Sequence, residues 1–173
     1  MRPSRILAPA VLLVAALLPA SLAGPARAAR PTVATECTAG QLAAGYVRRG
    51  AGASHRFGAL RLTNVSATRC WLRGYGGLSF VGGGDGTQVG HAATRTPSTV
   101  RRVWLAPGER AASLVDQTTA APYGTRRCRP TAVDGFRVYP PDSTVSLFVA
   151  HRTRTCANSR LTLLAHRAYR KVG

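Results

Sequence analysis

An all-β domain is the fold class this sequence predicts. More narrowly it predicts a two-sheet antiparallel β-sandwich of immunoglobulin-like type, stapled by two disulfides. Three observations predict it. Short apolar runs alternate with turn residues, and past the amino-terminal stretch no segment sustains a helical period of apolar positions. The chain of 173 residues carries 18 Gly and 11 Pro, placed where tight turns would separate strands. Its 4 Cys are widely spaced, with no Cys-x-x-Cys pair, and in an exported chain an even number reads as a disulfide framework.

Residues 1–28 read as a signal peptide. Arg2 and Arg5 form a positive start, Ile6 to Leu18 is almost purely apolar, and Ala26-Arg27-Ala28 offers small residues at a peptidase site. The apolar run falls short of the roughly 20 residues that a spanning helix needs, and it contains Pro9. No twin-arginine pair precedes it, and Thr35-Glu36 before Cys37 is not the setting of a lipid-attachment cysteine. No later segment is apolar for long enough to span a bilayer. The expected location is therefore secreted and extracellular. Residues 29–36 are expected as a flexible lead-in, 37–165 as a single domain, and 166–173 as a short basic tail.

The strands follow in order. His55 to Asn64 carries Phe57, Leu60 and Leu62 and stops at the polar corner Thr63-Asn64. Cys70 to Leu72 and Leu78 to Val81 come next, and Gly82-Gly83-Gly84-Asp85-Gly86 makes a turn. Val100 to Leu105, Ala111 to Val115, Phe136 to Tyr139, Val145 to Ala150 and Leu161 to Leu164 complete the set. Pro107-Gly108 and Pro140-Pro141-Asp142-Ser143 punctuate it. Three disulfide connectivities are open. Cys37–Cys70 with Cys128–Cys156 is preferred because each closes a loop of about 30 residues, for on the order of 3–4 kcal/mol apiece.

Several of these segments carry a resemblance. Cys37, Leu60-Arg61-Leu62-Thr63-Asn64, Cys70-Trp71-Leu72-Arg73-Gly74-Tyr75, Leu105-Ala106-Pro107-Gly108-Glu109-Arg110-Ala111, and Cys128 with Phe136-Arg137-Val138-Tyr139-Pro140-Pro141 are the residues concerned. Together they resemble the actinobacterial domain-of-unknown-function 4232 family, whose members are secreted or lipid-anchored β domains. Gly76 stands where that family commonly has Pro. The resemblance implies a fold and no chemistry. The same residues look structural on physical grounds: Gly74 and Gly108 suit positive φ, Pro107 presets a turn, and Trp71 beside Cys70 suits a core position against a disulfide.

Catalytic groups are sparse. The 6 acids include four expected in turns, Asp85, Glu109, Asp134 and Asp142, with Glu36 in the lead-in and Asp116 at a strand end. Turn carboxylates hydrogen-bond their own backbone. His55, His91, His151 and His166 show no metal-ligand spacing, so no metal and no cofactor is expected. A Ser113, His151 and Asp116 triad can be drawn on paper, but the nucleophile elbow is absent. The glycine cluster lacks the Lys-Ser/Thr of a phosphate loop. Asn64-Val65-Ser66 matches a glycosylation acceptor. The expectation is a non-enzymatic protein. A secreted hydrolase is the weaker alternative, as is an inhibitor built on a rigid loop from Thr119 to Arg127.

Charge is the feature that stands out, with a solvated basic surface as its plain reading and adhesion to polyanions as its sharper one. The 24 Lys+Arg against 6 Asp+Glu give +18, and Lys171 is the one lysine. Basic groups recur at Arg48-Arg49, Arg101-Arg102, Arg126-Arg127-Cys128-Arg129, Arg152-Thr153-Arg154 and Arg167 to Lys171. The candidate anion-binding residues are Arg126, Arg127, Arg129, Arg152 and Arg154, the last two sharing one face of a strand. Anionic cell-wall polymers or glycans are the expected partners. Specific nucleic-acid recognition is not expected, because Trp71, Trp104 and most other aromatics read as core. A purely structural envelope module, with incidental charge, is the competing reading.

Overall fold

The computed structural model describes residues 34–172. The expected signal peptide and most of the lead-in lie outside them. The described chain is almost all β, in three sheets rather than two. β1 (Leu42–Gly52) and β2 (His55–Asn64) form a long hairpin, and β2 runs along β8 (Arg110–Thr118) from His55 opposite Thr118 to Thr63 opposite Arg110. The far edge of β8 is shared by β11 (Leu164–His166) and β12 (Arg170–Val172). β6 (Thr94–Arg95) pairs with β11 in parallel, the exception among antiparallel ladders.

The second sheet has the order β10 (Leu147–Cys156), β9 (Pro130–Tyr139), β4 (Gly77–Gly82), β5 (Thr87–Val89). The predicted glycine turn links β4 to β5, with Gly83, Gly84 and Gly86 at positive φ. The third sheet is a ribbon of β3 (Cys70–Arg73) and β7 (Arg102–Leu105).

All three sheets supply one core. Leu60, Leu62, Val115 and Leu164 come from the first sheet, Leu78, Phe80, Phe136 and Val138 from the second, and Leu72, Val103 and Leu105 from the ribbon. Alternation of side chains across each strand sends these residues inward and their neighbours out. Cys37–Cys70 joins this core. Cys128–Cys156 instead anchors a separate small cluster with Leu161 and Leu163.

Four expectations change here. β1 was not among the predicted strands, because Ala43-Ala44-Gly45 and Arg48-Arg49 break the alternation that marks a strand; β2 offers it a ladder edge. Residues 166–173 were expected as a basic tail. Instead His166 ends β11, Tyr169 is 1% exposed, and Arg170–Val172 is a paired strand. The end of the expected lead-in is also tied down: the Trp71 amide donates to the Thr35 carbonyl at 3.1 Å, and Cys37 donates to the Trp71 carbonyl at 2.9 Å. Asp134 lies on β9 rather than in a turn, where its carboxylate accepts the Gly84 amide at 2.9 Å.

Asn64 shows how polar groups fix the frame. It is fully buried, and its amide nitrogen donates to the carbonyls of Thr68 (2.8 Å) and Leu105 (3.0 Å). It thereby ties the end of β2 to the ribbon. The nitrogen that a glycan would use is already engaged on both counts.

Candidate anion-binding surface

The β3–β7 ribbon positions the most concentrated basic feature. Trp71 and Trp104 stand directly opposite one another, and Cys70, Leu72, Val103 and Leu105 face the core. Trp71 and Trp104 therefore face outward, half-buried, which corrects the core placement expected of them. The Arg102 guanidinium lies 4.4 Å from the Trp71 ring centre and 5.7 Å from that of Trp104. Arg69 covers Trp104 at 4.8 Å. Each guanidinium is held by the negative face of an indole ring, while its N–H groups stay available to an anion.

Beside the ribbon is a cleft of about 590 Å³, lined by Arg69, Arg101, Arg102, Trp104, Tyr169, Arg170 and Lys171. Tyr169 is buried with its hydroxyl unpartnered, and burial pushes its pKa up. Lys171 pairs with Glu109 at 2.7 Å. Glu109 is held below the usual carboxylate range by Lys171 and by the Ala106 amide. Glu36 is pushed up by burial and by the neighbouring Asp142 carboxyl, with Arg102 acting against both.

Among the described residues two ion pairs form, His55–Asp116 and Lys171–Glu109, and neither contains an arginine. Asp85 is occupied by its own turn, accepting the Thr87 amide at 2.9 Å.

The arginines singled out in the sequence divide between two places. Arg126 and Arg127 sit on a helical turn, α1 (Thr125–Cys128), and Arg129 follows in left-handed backbone. Arg154 reaches the same corner, donating to the Pro130 carbonyl at 3.0 Å beside Cys128–Cys156. Arg152 faces outward with Arg154 but lines a different cavity, with Asp134 and Phe148.

Catalytic geometry does not come together around the triad drawn on paper. Ser113 Oγ is 3.3 Å from His166, Asp116 pairs with His55 at 2.7 Å, and His151 meets Gln117 at 3.2 Å. The Thr119 to Arg127 segment is two short helical turns in an exposed stretch. No group of three His, Cys, Asp or Glu gathers as metal ligands would among the described residues.

A family model for a domain of unknown function, DUF4232, matches residues 37–165. The chain belongs to that family. No curated protein and no solved structure matches it. The DUF4232 match contains Arg69, Trp71, Arg101, Arg102 and Trp104 but stops before Tyr169, Arg170 and Lys171. One wall of the cleft is thus contributed by chain beyond the matched DUF4232 segment. Gly76 belongs to this neighbourhood too: a Cβ there would run into the Tyr139 carbonyl and come within 3.4 Å of the Tyr169 ring.

Tyr169 and the two tryptophans were the functional candidates missed in the sequence. A signal for the tryptophans was present. Cys70 and Trp71 are neighbours in a strand and must point to opposite faces, so a buried half-cystine sends its neighbour out.

Proposed function

We propose that this protein is a secreted, non-enzymatic domain that holds anionic cell-wall polymers or glycans weakly and reversibly through the arginine–tryptophan cleft. One observation carries the reading: Arg69 and Arg102 lie over an outward tryptophan pair, with Arg101 and Arg170 alongside, and among the described residues no carboxylate lies within 4 Å of any of them. Guanidinium forks match phosphate and carboxylate oxygens bidentately, and aromatic faces add sequence-tolerant contact. The exposed Arg126, Arg127, Arg129, Arg152 and Arg154 extend the positive field without gathering in one pocket. Secretion rests on the amino-terminal signal, and the two disulfides agree with an oxidising compartment.

Retention on immobilised heparin and on a teichoic-acid-like polyphosphate tests it. Binding at low salt should weaken by about a hundredfold or more between about 50 and 200 mM, as counterion release at roughly four to six contacts requires. Arg101→Ala with Arg102→Ala should flatten that slope more than Arg152→Ala with Arg154→Ala. Failure of both polymers to retain the protein at low salt overturns the reading and leaves a structural module with incidental charge.

A further inference from the structure

A second arginine-lined cavity, of about 540 Å³, opens between the two larger sheets and has a different construction. Exposed arginines at its rim, Arg48 and Arg56, stand over a floor that holds the buried Gln117. Arg48 stands opposite Gly58 and Arg56 opposite Gln117, on the same face as Leu60 and Leu62. Both arginines are exposed at the mouth of the cavity, where their N–H groups are open to an anion. Neither Arg48 nor Arg56 has a carboxylate within 4 Å among the described residues. Arg56 is held in place by donating to Thr153 Oγ1 at 2.9 Å.

The inner wall is polar and fixed. Gln117 is 3% exposed; its Nε2 donates to Tyr46 Oη at 2.6 Å, and its Oε1 accepts from His151 Nε2 at 3.2 Å. His151 lies parallel on Phe136 with ring centres 4.7 Å apart, and Tyr46 tilts against it at the same separation. His151 and Thr153, two apart on β10, both face this space while Arg152 between them faces out.

We infer that this inter-sheet cavity is a binding site for a single tetrahedral oxyanion, the phosphate or sulfate group of a small ligand, gripped by Arg48 and Arg56 and bounded by Tyr46, Gln117 and His151. Two guanidinium groups arriving from neighbouring strands can engage different oxygens of one such group, which a planar carboxylate offers less well. The site is separate from the tryptophan cleft and does not depend on it. His151 supplies an independent reporter. Burial, then Arg48 and Arg56, hold its pKa below the ordinary histidine value. The other groups around it are Tyr46 and Arg49 on β1, Gln117 on β8 and Phe136 on β9. A bound oxyanion offsets the two arginines and raises the His151 pKa, so affinity for the non-titrating sulfate rises as pH falls.

The test uses the whole protein, titrated with sodium sulfate and separately with sodium phosphate at constant ionic strength. Calorimetry is read together with the His151 ring resonances. One saturable site, an upward shift of the His151 pKa, and a loss of roughly tenfold or more in affinity for Arg48→Gln and for Arg56→Gln are expected. Arg102→Ala should bind as the unaltered protein does. Tighter sulfate binding assigns sulfated ligands, and tighter phosphate binding assigns phosphorylated ones. Unmoved His151 resonances in both titrations of the unaltered protein overturn the proposal. Affinities unchanged in both arginine variants overturn it as well.

Discussion

The two arginine-lined cavities set the same exposed side chain against different backings. At the ribbon, Arg69 and Arg102 lie on tryptophans that face solvent, so their charges are exposed to salt and suited to loose contact with a long ligand. Between the sheets, Arg48 and Arg56 border a wall made by the nearly buried Gln117 and by His151, where a fixed hydrogen-bond chain sets the shape. Arginine supplies most of the charge in both places. What the arginines lie against makes the difference: indole faces at the ribbon, a fixed polar wall between the sheets.

Removing one disulfide should separate the two most strongly. Cys37–Cys70 spans 33 residues and fixes β3, which carries Trp71. Cys37→Ala with Cys70→Ala should cost about 3–4 kcal/mol in a denaturant titration and weaken polymer retention, while sulfate binding at the inter-sheet cavity persists. Equal loss at both would show that the cavities are one cooperative unit.

Acid should remove both together. His166 is 2% exposed on β11, and burial, with Arg95 nearby, lowers its pKa from 6.5 to about 4. The unfolded chain therefore takes up a proton first as pH falls. Stability is full above about pH 6.5 and declines towards pH 4, by about 3 kcal/mol at most from this residue. His166→Phe should flatten that part of the pH dependence in thermal melts. A slope unaltered by the substitution would assign it to other groups, His151 first.

Gly58→Ala should strike the inter-sheet cavity alone. The Tyr46 ring lies across Gly58, so an added Cβ collides with it. The expected cost is about 1–3 kcal/mol, with sulfate binding lost and polymer retention kept. The smallest effect is expected for Arg102→Lys, which keeps the charge but not the planar stacking on Trp71. Polymer affinity should fall about two- to fivefold, with the melting temperature nearly unchanged.

Much of the frame was legible in the residues. His55–Asn64 is a strand over the bounds its apolar pattern indicated, and the glycine run is the turn its composition required. Gly74 and Gly108, expected at positive φ, have φ of 88° and 79°. The cavities were harder to read. Arg48-Arg49 stood out as a basic pair, but nothing local says that Arg48 shares a sheet face with Arg56; that follows from its pairing with Gly58, set by the hairpin register. His151 lacked any spacing motif because its partners, Tyr46 and Gln117, are far away in the chain. Tyr169 was hidden in a basic stretch whose order comes from pairing with β8.

The two-sided pairing of β8 has a consequence for the timing of folding. One edge of this strand is satisfied by β2, earlier in the chain, but the other waits for β11 and β12, both of which come after residue 163. Until those segments arrive, the first sheet has an open edge beside Ala111 and Val115, which are buried in the finished protein. An incomplete chain therefore presents an adhesive strand, and the order in which residues become available decides when that hazard ends. Ala168 and Tyr169, buried between β11 and β12, are what finally seal it.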